Sequence, residues 1–494
     1  MLLASVVAYL LFSVMVGLFV ARNVSSSTDY AVAGRNLALP VVTATVFATW
    51  FGSETVLGIS STFVEEGLGG IVSDPFGASL CLILAGLFFA PKLYRLNLLT
   101  IGSYYRVRYN RFVEVACSVC IIVSYLGWVA AQISALGLIF SVITNGGLSK
   151  EMGMVIGTVI VLTYTLFGGM LAVAVLDFIQ MSVICVGLVY IAYVVSGMTG
   201  GVGAVVDHMD AAGKLQFFPS EFKYELWVPF IGASVTMMLG SIPQQDVFQR
   251  ITSARNEKTA VRGAVLGGSL YFLFAFIPVF LAYGATMIDP AKFNAILAED
   301  SQLVLPTFIL EQTPVFVQVV FFGALLSAIM STSSATLLAP SVSFAENIVK
   351  VIFPNIDDKR FLLIMRVSVF VFACIVLSFS LNSNASIFEM VEQAYEITLA
   401  AAFAPLAFGL YWKRATTQGA TFSIIAGLAI WLTAKFTVDT EIWPPQLLGL
   451  FAGIAGMLIG SLLPQWIAHR PLLRDGKIHS AVESHIDMID HNLP

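Results

Sequence analysis

The run Ala328-Ile329-Met330-Ser331-Thr332-Ser333-Ser334 puts four hydroxyl side chains in succession. Hydroxyl and carbonyl oxygens are hard ligands suited to a small cation, and on a helix the Ala328 carbonyl lies one turn from Ser331 and Thr332. The same hydroxyls could instead be packing glue, bonding back along their own helix or across to another. A second group is acidic: Asp177 with Gln180 one turn on, Glu54 at the end of Thr49-Trp50-Phe51-Gly52-Ser53-Glu54, Asp74, and Glu389, Glu392 and Glu396 at i, i+3 and i+7 on one helix face. Carboxylates set in apolar runs cost enough to be site candidates, and together they would concentrate cations. Glu389 and Glu392 also suit a solvated helix end. Trp50 and Trp128 fall midway along apolar runs, where each indole face could hold an organic cation for about 0.5 to 2 kcal/mol, or simply pack. The chemistry implied is cation recognition. Bond-making is disfavoured, because His208, His469, His479, His485 and His491 all lie outside the apolar runs and neither HExxH nor GxSxG occurs. Cys117 and Cys120 have CxxC spacing but no nearby histidine, so the five cysteines read as packing residues.

The elements that must position these residues are membrane helices. With 494 residues, 58% hydrophobic and 11% charged, the chain cannot cover a soluble surface, and its net charge of −5 gives no basic footprint for nucleic acid. A bilayer core needs about 20 apolar residues per helix. Such stretches predict an all-α polytopic membrane protein of about thirteen spans, at 3–21, 38–64, 71–91, 112–144, 152–171, 173–197, 227–248, 261–287, 314–345, 361–381, 387–412, 417–437 and 445–467. The first has no basic n-region and is followed by Arg22 rather than a cleavage site, so it reads as a span and not a signal peptide. With the N-terminus outside, all the basic residues except Lys150, Lys214, Lys223, Lys292 and Lys435 fall on inner loops and span ends, as the positive-inside rule requires. The expected setting is the plasma or inner membrane, with the C-terminus in the cytoplasm.

Two spans carry breaks. Gly52 and Ser53 interrupt the second, and Gly240-Ser241-Ile242-Pro243-Gln244-Gln245 interrupts the seventh. They stand five spans apart, as corresponding helices of two five-helix inverted repeats would, and broken helices at membrane depth are tolerated where they line a cavity or coordinate a ligand. Glycine or proline kinks without a ligand are the plainer reading. No compositional shift marks a soluble domain. The expected organisation is a first helix and loop over 1–37, a transport core over 38–382 and 383–412, two C-terminal helices over 413–468, and a polar tail over 469–494.

Three stretches together resemble the sodium/solute symporter family: Asp29-Tyr30-Ala31-Val32-Ala33-Gly34-Arg35, Tyr164-Thr165-Leu166-Phe167-Gly168-Gly169 running on to Asp177, and Ala328 to Ser334. The resemblance covers about residues 3 to 467. It implies the leucine-transporter-like five-plus-five inverted repeat with one preceding and two following helices, and Na+ as the coupling ion. It also implies a sodium site of Ala48, Phe51, Ala328, Ser331 and Thr332. Asp177 matches an aspartate that in some members makes a second sodium or coupling site, here with Ser333 or Ser334; Leu176 stands where the family often has threonine. Within the family the likeness is to the choline-transporting branch, through Ala48-Thr49-Trp50, Trp128, Ser134 to Gly137 and Gly240 to Pro243 leading to Phe248-Gln249-Arg250, and next to the proline-transporting branch. Trp50 and Trp128 match positions of the choline branch's aromatic cage, while Gln244 stands where that branch has another tryptophan.

Trp50, Glu54, Asp74, Trp128, Gln244, Gln245 and Glu396 form the expected solute site. Its acids favour an amine-bearing solute, a choline-like cation or a di- or polyamine, with a zwitterion such as proline as the alternative and an organic acid least suited. The expected partners are a small solute and the bilayer, with no nucleic acid. A channel would need a continuous polar pore, and a transporter-like sensor would usually add a soluble signalling domain, whereas this chain ends soon after its last span.

Overall fold

The computed structural model describes residues 1–383, 385–474 and 477–478; His479, His485, His491 and most of the expected tail lie outside the described residues. Helices account for nearly all of it. They are α1 (Leu2–Ala21), α2 (Leu39–Trp50), α3 (Ile59–Glu66), α4 (Arg111–Ile143), α5 (Lys150–Thr199), α6 (Tyr224–Gly240), α7 (Gln245–Ser253) and α8 (Glu257–Ile288). There follow α9 (Val315–Phe344), α10 (Asp358–Leu381), α11 (Ile387–Ala401), α12 (Phe403–Tyr411), α13 (Thr417–Thr437) and α14 (Pro445–Leu462). Shorter helical segments connect them, and Leu68–Arg95 forms a further apolar stretch between α3 and α4.

Among the described residues nine helices are long and apolar enough to cross a bilayer, or eleven if the bent pairs α6 with α7 and α11 with α12 are one span each. The sequence predicts about thirteen, and the difference lies in two elements. Leu39–Trp50 is too short to pass by itself because its helix breaks at residue 51. Helix α5 runs 50 residues but contains Gly169 at φ +50°, ψ −148°, which is not helical. At 1.5 Å per residue it would extend about 75 Å, far more than a bilayer core, so the glycine divides it into two pieces. The 47° bend between α11 and α12 falls inside the expected span 387–412, just before Pro405, which cannot continue the hydrogen-bond ladder.

Polar caps set the ends of the long helices. The Asn110, Asn256 and Thr416 side chains accept from the third helical N–H of α4, α8 and α13, and Ser386 forms a reciprocal capping box with Glu389 at α11. Small residues let helices close on one another: a side-chain carbon on Gly427 of α13 would lie 2.0 Å from the Ala400 carbonyl of α11. At Gly169 an added carbon would lie 2.5 Å from both the Tyr30 ring and the Tyr30 carbonyl, at a φ few side chains adopt. Gly169→Ala is therefore expected to destabilise by at least about 1 to 3 kcal/mol. Thermal unfolding in detergent checks this, and an unchanged midpoint would refute it.

Candidate functional site

The first break is built from local geometry. Helix α2 ends at Trp50, Phe51 departs from helical geometry at φ −88°, ψ 77°, and a wide turn over Glu54–Gly58 leads into α3. Gly52 is required there, because a side-chain carbon would lie 2.4 Å from Glu54 Oε2, 2.7 Å from Thr332 Oγ1 and 2.8 Å from Gln132 Oε1. At the second break α6 and α7 meet at 44° across Ser241 to Gln244. Pro243 has no N–H to give there. The Gly240 carbonyl accepts instead from the Thr398 hydroxyl at 2.7 Å.

Against the first break stands the hydroxyl run of α9. Ser331 Oγ lies 2.9 Å and Thr332 Oγ1 3.3 Å from the Ala48 carbonyl. Phe51 supplies the non-helical backbone beside them, and Ala328 is buried one turn away on α9. Asp177 joins this group directly: its Oδ1 accepts from Ser331 Oγ at 2.6 Å and its Oδ2 from the Thr45 hydroxyl. Thr45 thus provides a hydroxyl neighbour that Leu176 cannot. The expected partners Ser333 and Ser334 turn away from Asp177, Ser333 donating to the Ile329 carbonyl at 2.6 Å and Ser334 to the Ser331 carbonyl at 2.9 Å. Chemically, the group offers one carboxylate, hydroxyls and freed carbonyls to a dehydrated monovalent cation.

Beyond Phe51 lies an aromatic cluster. The rings of Trp50, Trp128 and Tyr395 meet pairwise at 5.5, 5.9 and 5.6 Å, and Tyr125 stacks on Trp128 at 6.0 Å. All are buried and close on one another. Each indole N–H is given to a buried carboxylate, Trp128 Nε1 to Glu54 Oε1 at 3.0 Å and Trp50 Nε1 to Asp246 Oδ2 at 3.1 Å. Gln132 Nε2 donates to Glu54 Oε2 at 2.6 Å, and the Tyr125 hydroxyl to Asp246 Oδ1 at 2.5 Å. Gln244 reaches Ser124 at 2.9 Å. Among the described residues, Ser53 Oγ, Ser241 Oγ, Gln244 Oε1 and the Tyr395 hydroxyl are buried around the two breaks without a partner. Such atoms are costly unless a ligand or water meets them.

Three residues expected in the solute site lie elsewhere. Gln245 Oε1 accepts from the Ile101 N–H at 2.8 Å, away from the rings, and its neighbour Asp246 takes the inward position. Glu396 is held by Lys435 at 2.8 Å and Trp431 Nε1 at 2.9 Å, and Tyr395 faces the indoles in its place. Asp74 sits behind Tyr271, whose hydroxyl donates to it at 2.5 Å and also meets Thr55. Glu389 and Glu392 line a cleft of about 640 Å³ with Glu65, Glu66 and Phe388, outside the rings. Because Glu396 is paired with Lys435 and Trp431 away from the rings, Glu396→Gln is expected to leave solute affinity within about threefold of the wild type, under about 1 kcal/mol. Competition binding checks this, and a tenfold loss would put Glu396 back in the site.

Asp246, Tyr125, Gln132 and Tyr395 are site residues the sequence reading does not reach. Asp246 carried the needed signal, an acid inside an apolar span beside a helix break.

The sodium:solute symporter family model matches residues 30–427. The chain is similar to high affinity choline transporter 1 of Homo sapiens, 28% identical over 468 residues that cover 87% of this chain and 76% of the relative. It is likewise similar to the osmoregulated proline transporter OpuE of Bacillus subtilis, 25% identical over 474 residues, covering 91% and 93%. Its fold matches the substrate-bound outward-open structure of a Na+-coupled sialic acid symporter with a TM-score of 0.81 at 18% identity, over 93% of this chain and 96% of that one.

Proposed function

The chain belongs to the sodium:solute symporter family, which makes it a membrane transporter and not an enzyme, and from that premise we propose that it couples sodium entry to the uptake of a small amine-bearing organic solute. Sodium binds among Ala48, Phe51, Ala328, Ser331 and Thr332, with Asp177 as the countercharge. The solute's ammonium group sits among Trp50, Trp128 and Tyr395. The N-terminus lies outside and the C-terminus in the cytoplasm, as the basic residues favour. Transport requires the rings to part toward one face and then the other, since the cage is closed here.

One observation carries the amine reading: both indole N–H groups are given to buried carboxylates. That bond pushes electron density toward the ring face, strengthening its attraction for a cation, and the carboxylates add their own charge. The acid-lined outer cleft works in the same sense by raising the local concentration of cations. A zwitterion such as proline is the second reading, favoured by the likeness to a proline transporter; the free hydroxyls of Ser53, Ser241 and Tyr395 are neutral donors that a carboxylate could use. Uptake of labelled choline, putrescine, spermidine, proline, glucose and a simple carboxylate by proteoliposomes, with sodium or potassium outside, tests both. Sodium-dependent uptake led by an amine supports the proposal, proline in the lead selects the second reading, and uptake indifferent to sodium rejects both.

A further inference from the structure

Arg250 is buried at 1% exposure on α7, between the cation group and the aromatic cluster. Its Nε donates to Thr49 Oγ1 at 3.0 Å, and Nη1 makes long contacts of 3.4 Å to the Asp246 carbonyl and to Gln249 Oε1. Nη2 has no partner, and among the described residues no carboxylate oxygen lies within 4.0 Å of this guanidinium. A buried cation left this way is costly, and the acids near it are Asp177, reached through Thr49 and Thr45, and Asp246, whose backbone carbonyl it meets. On one side Thr45 donates to Asp177, Thr49 donates to the Thr45 carbonyl at 2.6 Å and Arg250 donates to Thr49. On the other Arg250 meets only the backbone carbonyl of Asp246, whose carboxylate holds the Trp50 indole.

We propose that Arg250 is the positioning residue that couples the two halves of the site, its guanidinium biased toward Asp177 when that acid is uncompensated and toward Asp246 when sodium compensates it. This rests on the sodium and cage assignments made above. A sodium ion beside Asp177 carries the same charge as Arg250 and cancels that carboxylate's attraction for the guanidinium. The guanidinium, with Nη2 free to form a bond, then fixes Asp246 and through it the orientation of the Trp50 indole. Sodium thereby orders the cage before the solute arrives, and by reciprocity an occupied cage tightens sodium binding.

Sodium alone is the probe. Titrating sodium into the purified protein, with potassium keeping ionic strength constant, should change tryptophan fluorescence in the wild type but not in Trp50→Phe, which assigns the signal. In Arg250→Gln the amplitude should fall at least about fivefold, the lower end of ordinary coupling, while sodium still raises the unfolding temperature; Arg250→Lys, with charge but no fork, should restore part of it. Should Arg250→Gln not fold, Thr49→Val, which removes the Nε acceptor, is read the same way and must also lose signal. A full Trp50 signal in Arg250→Gln, or in Thr49→Val where that variant decides, overturns the proposal. If Ser331→Ala/Thr332→Ala keeps the wild-type sodium response, the sodium assignment has failed instead.

Discussion

Ser331→Ala combined with Thr332→Ala is expected to raise the sodium concentration for half-maximal uptake by about tenfold to a hundredfold. Both hydroxyls lie against the Ala48 carbonyl, so a cation there would lose two ligands at once and keep only backbone oxygens and Asp177. A contact to a charged group contributes about 1.5 to 3 kcal/mol, and each 1.4 kcal/mol is a tenfold change in affinity. The singles should differ. Ser331 also donates to Asp177, so its loss frees the carboxylate as well, whereas the Thr332 hydroxyl meets only the Ala48 carbonyl. Ser331→Ala should therefore be the more damaging. Sodium-dependent uptake in proteoliposomes decides the matter, and a double variant with wild-type sodium dependence would mean the ion binds elsewhere.

The features legible in the sequence are those that composition and one-dimensional spacing encode. Gly52 and Pro243 announce the two helix breaks because a missing side chain and a missing N–H act locally. The hydroxyl run announces an oxygen-rich stretch for the same reason. What spacing does not supply is the rotation of each helix about its axis, and the misplacements follow from that. On α11 spacing points the acid Glu396 inward, yet its neighbour Tyr395 faces the indoles while Glu396 pairs with Lys435. On α7 it points Gln245 inward, yet Asp246 holds the Trp50 indole while Gln245 caps another helix. Each is an error of one residue, or about 100° of rotation, the step between successive side chains. Within Ser331 to Ser334 the same step sends Ser331 and Thr332 toward Ala48 and bends Ser333 and Ser334 back to their own helix. The helix neighbours, which lie far away in the chain, set that phase. Tyr395 was also hidden by chemistry, since an aromatic residue in an apolar span looks like packing until other rings are seen to meet it.

Glu54→Gln is expected to weaken binding of a cationic solute by about tenfold or more. Glu54 now takes Trp128 Nε1 on one oxygen and Gln132 Nε2 on the other, so it both supplies negative charge and fixes one wall of the cage. Glutamine keeps the length but has a single acceptor oxygen, leaving either Trp128 or Gln132 facing an amide NH2. The charge lost at the ammonium is worth about 1.5 to 3 kcal/mol, which sets the tenfold floor. Cage loosening alone would weaken every ligand alike, and loss of charge would not. A neutral or anionic competitor should therefore be little affected in Glu54→Gln, or bind better, while choline, putrescine and spermidine lose affinity. Trp128→Phe separates the terms further, because it deletes the N–H given to Glu54 while leaving the carboxylate charged, and it should cost a cation less than Glu54→Gln does. Competition by these amines, proline, glucose and a carboxylate against the transported solute measures all of this. Should glucose or the carboxylate compete best, and Glu54→Gln leave affinity unchanged, the cage does not recognise an ammonium and the amine reading fails, while membership of the symporter family stands.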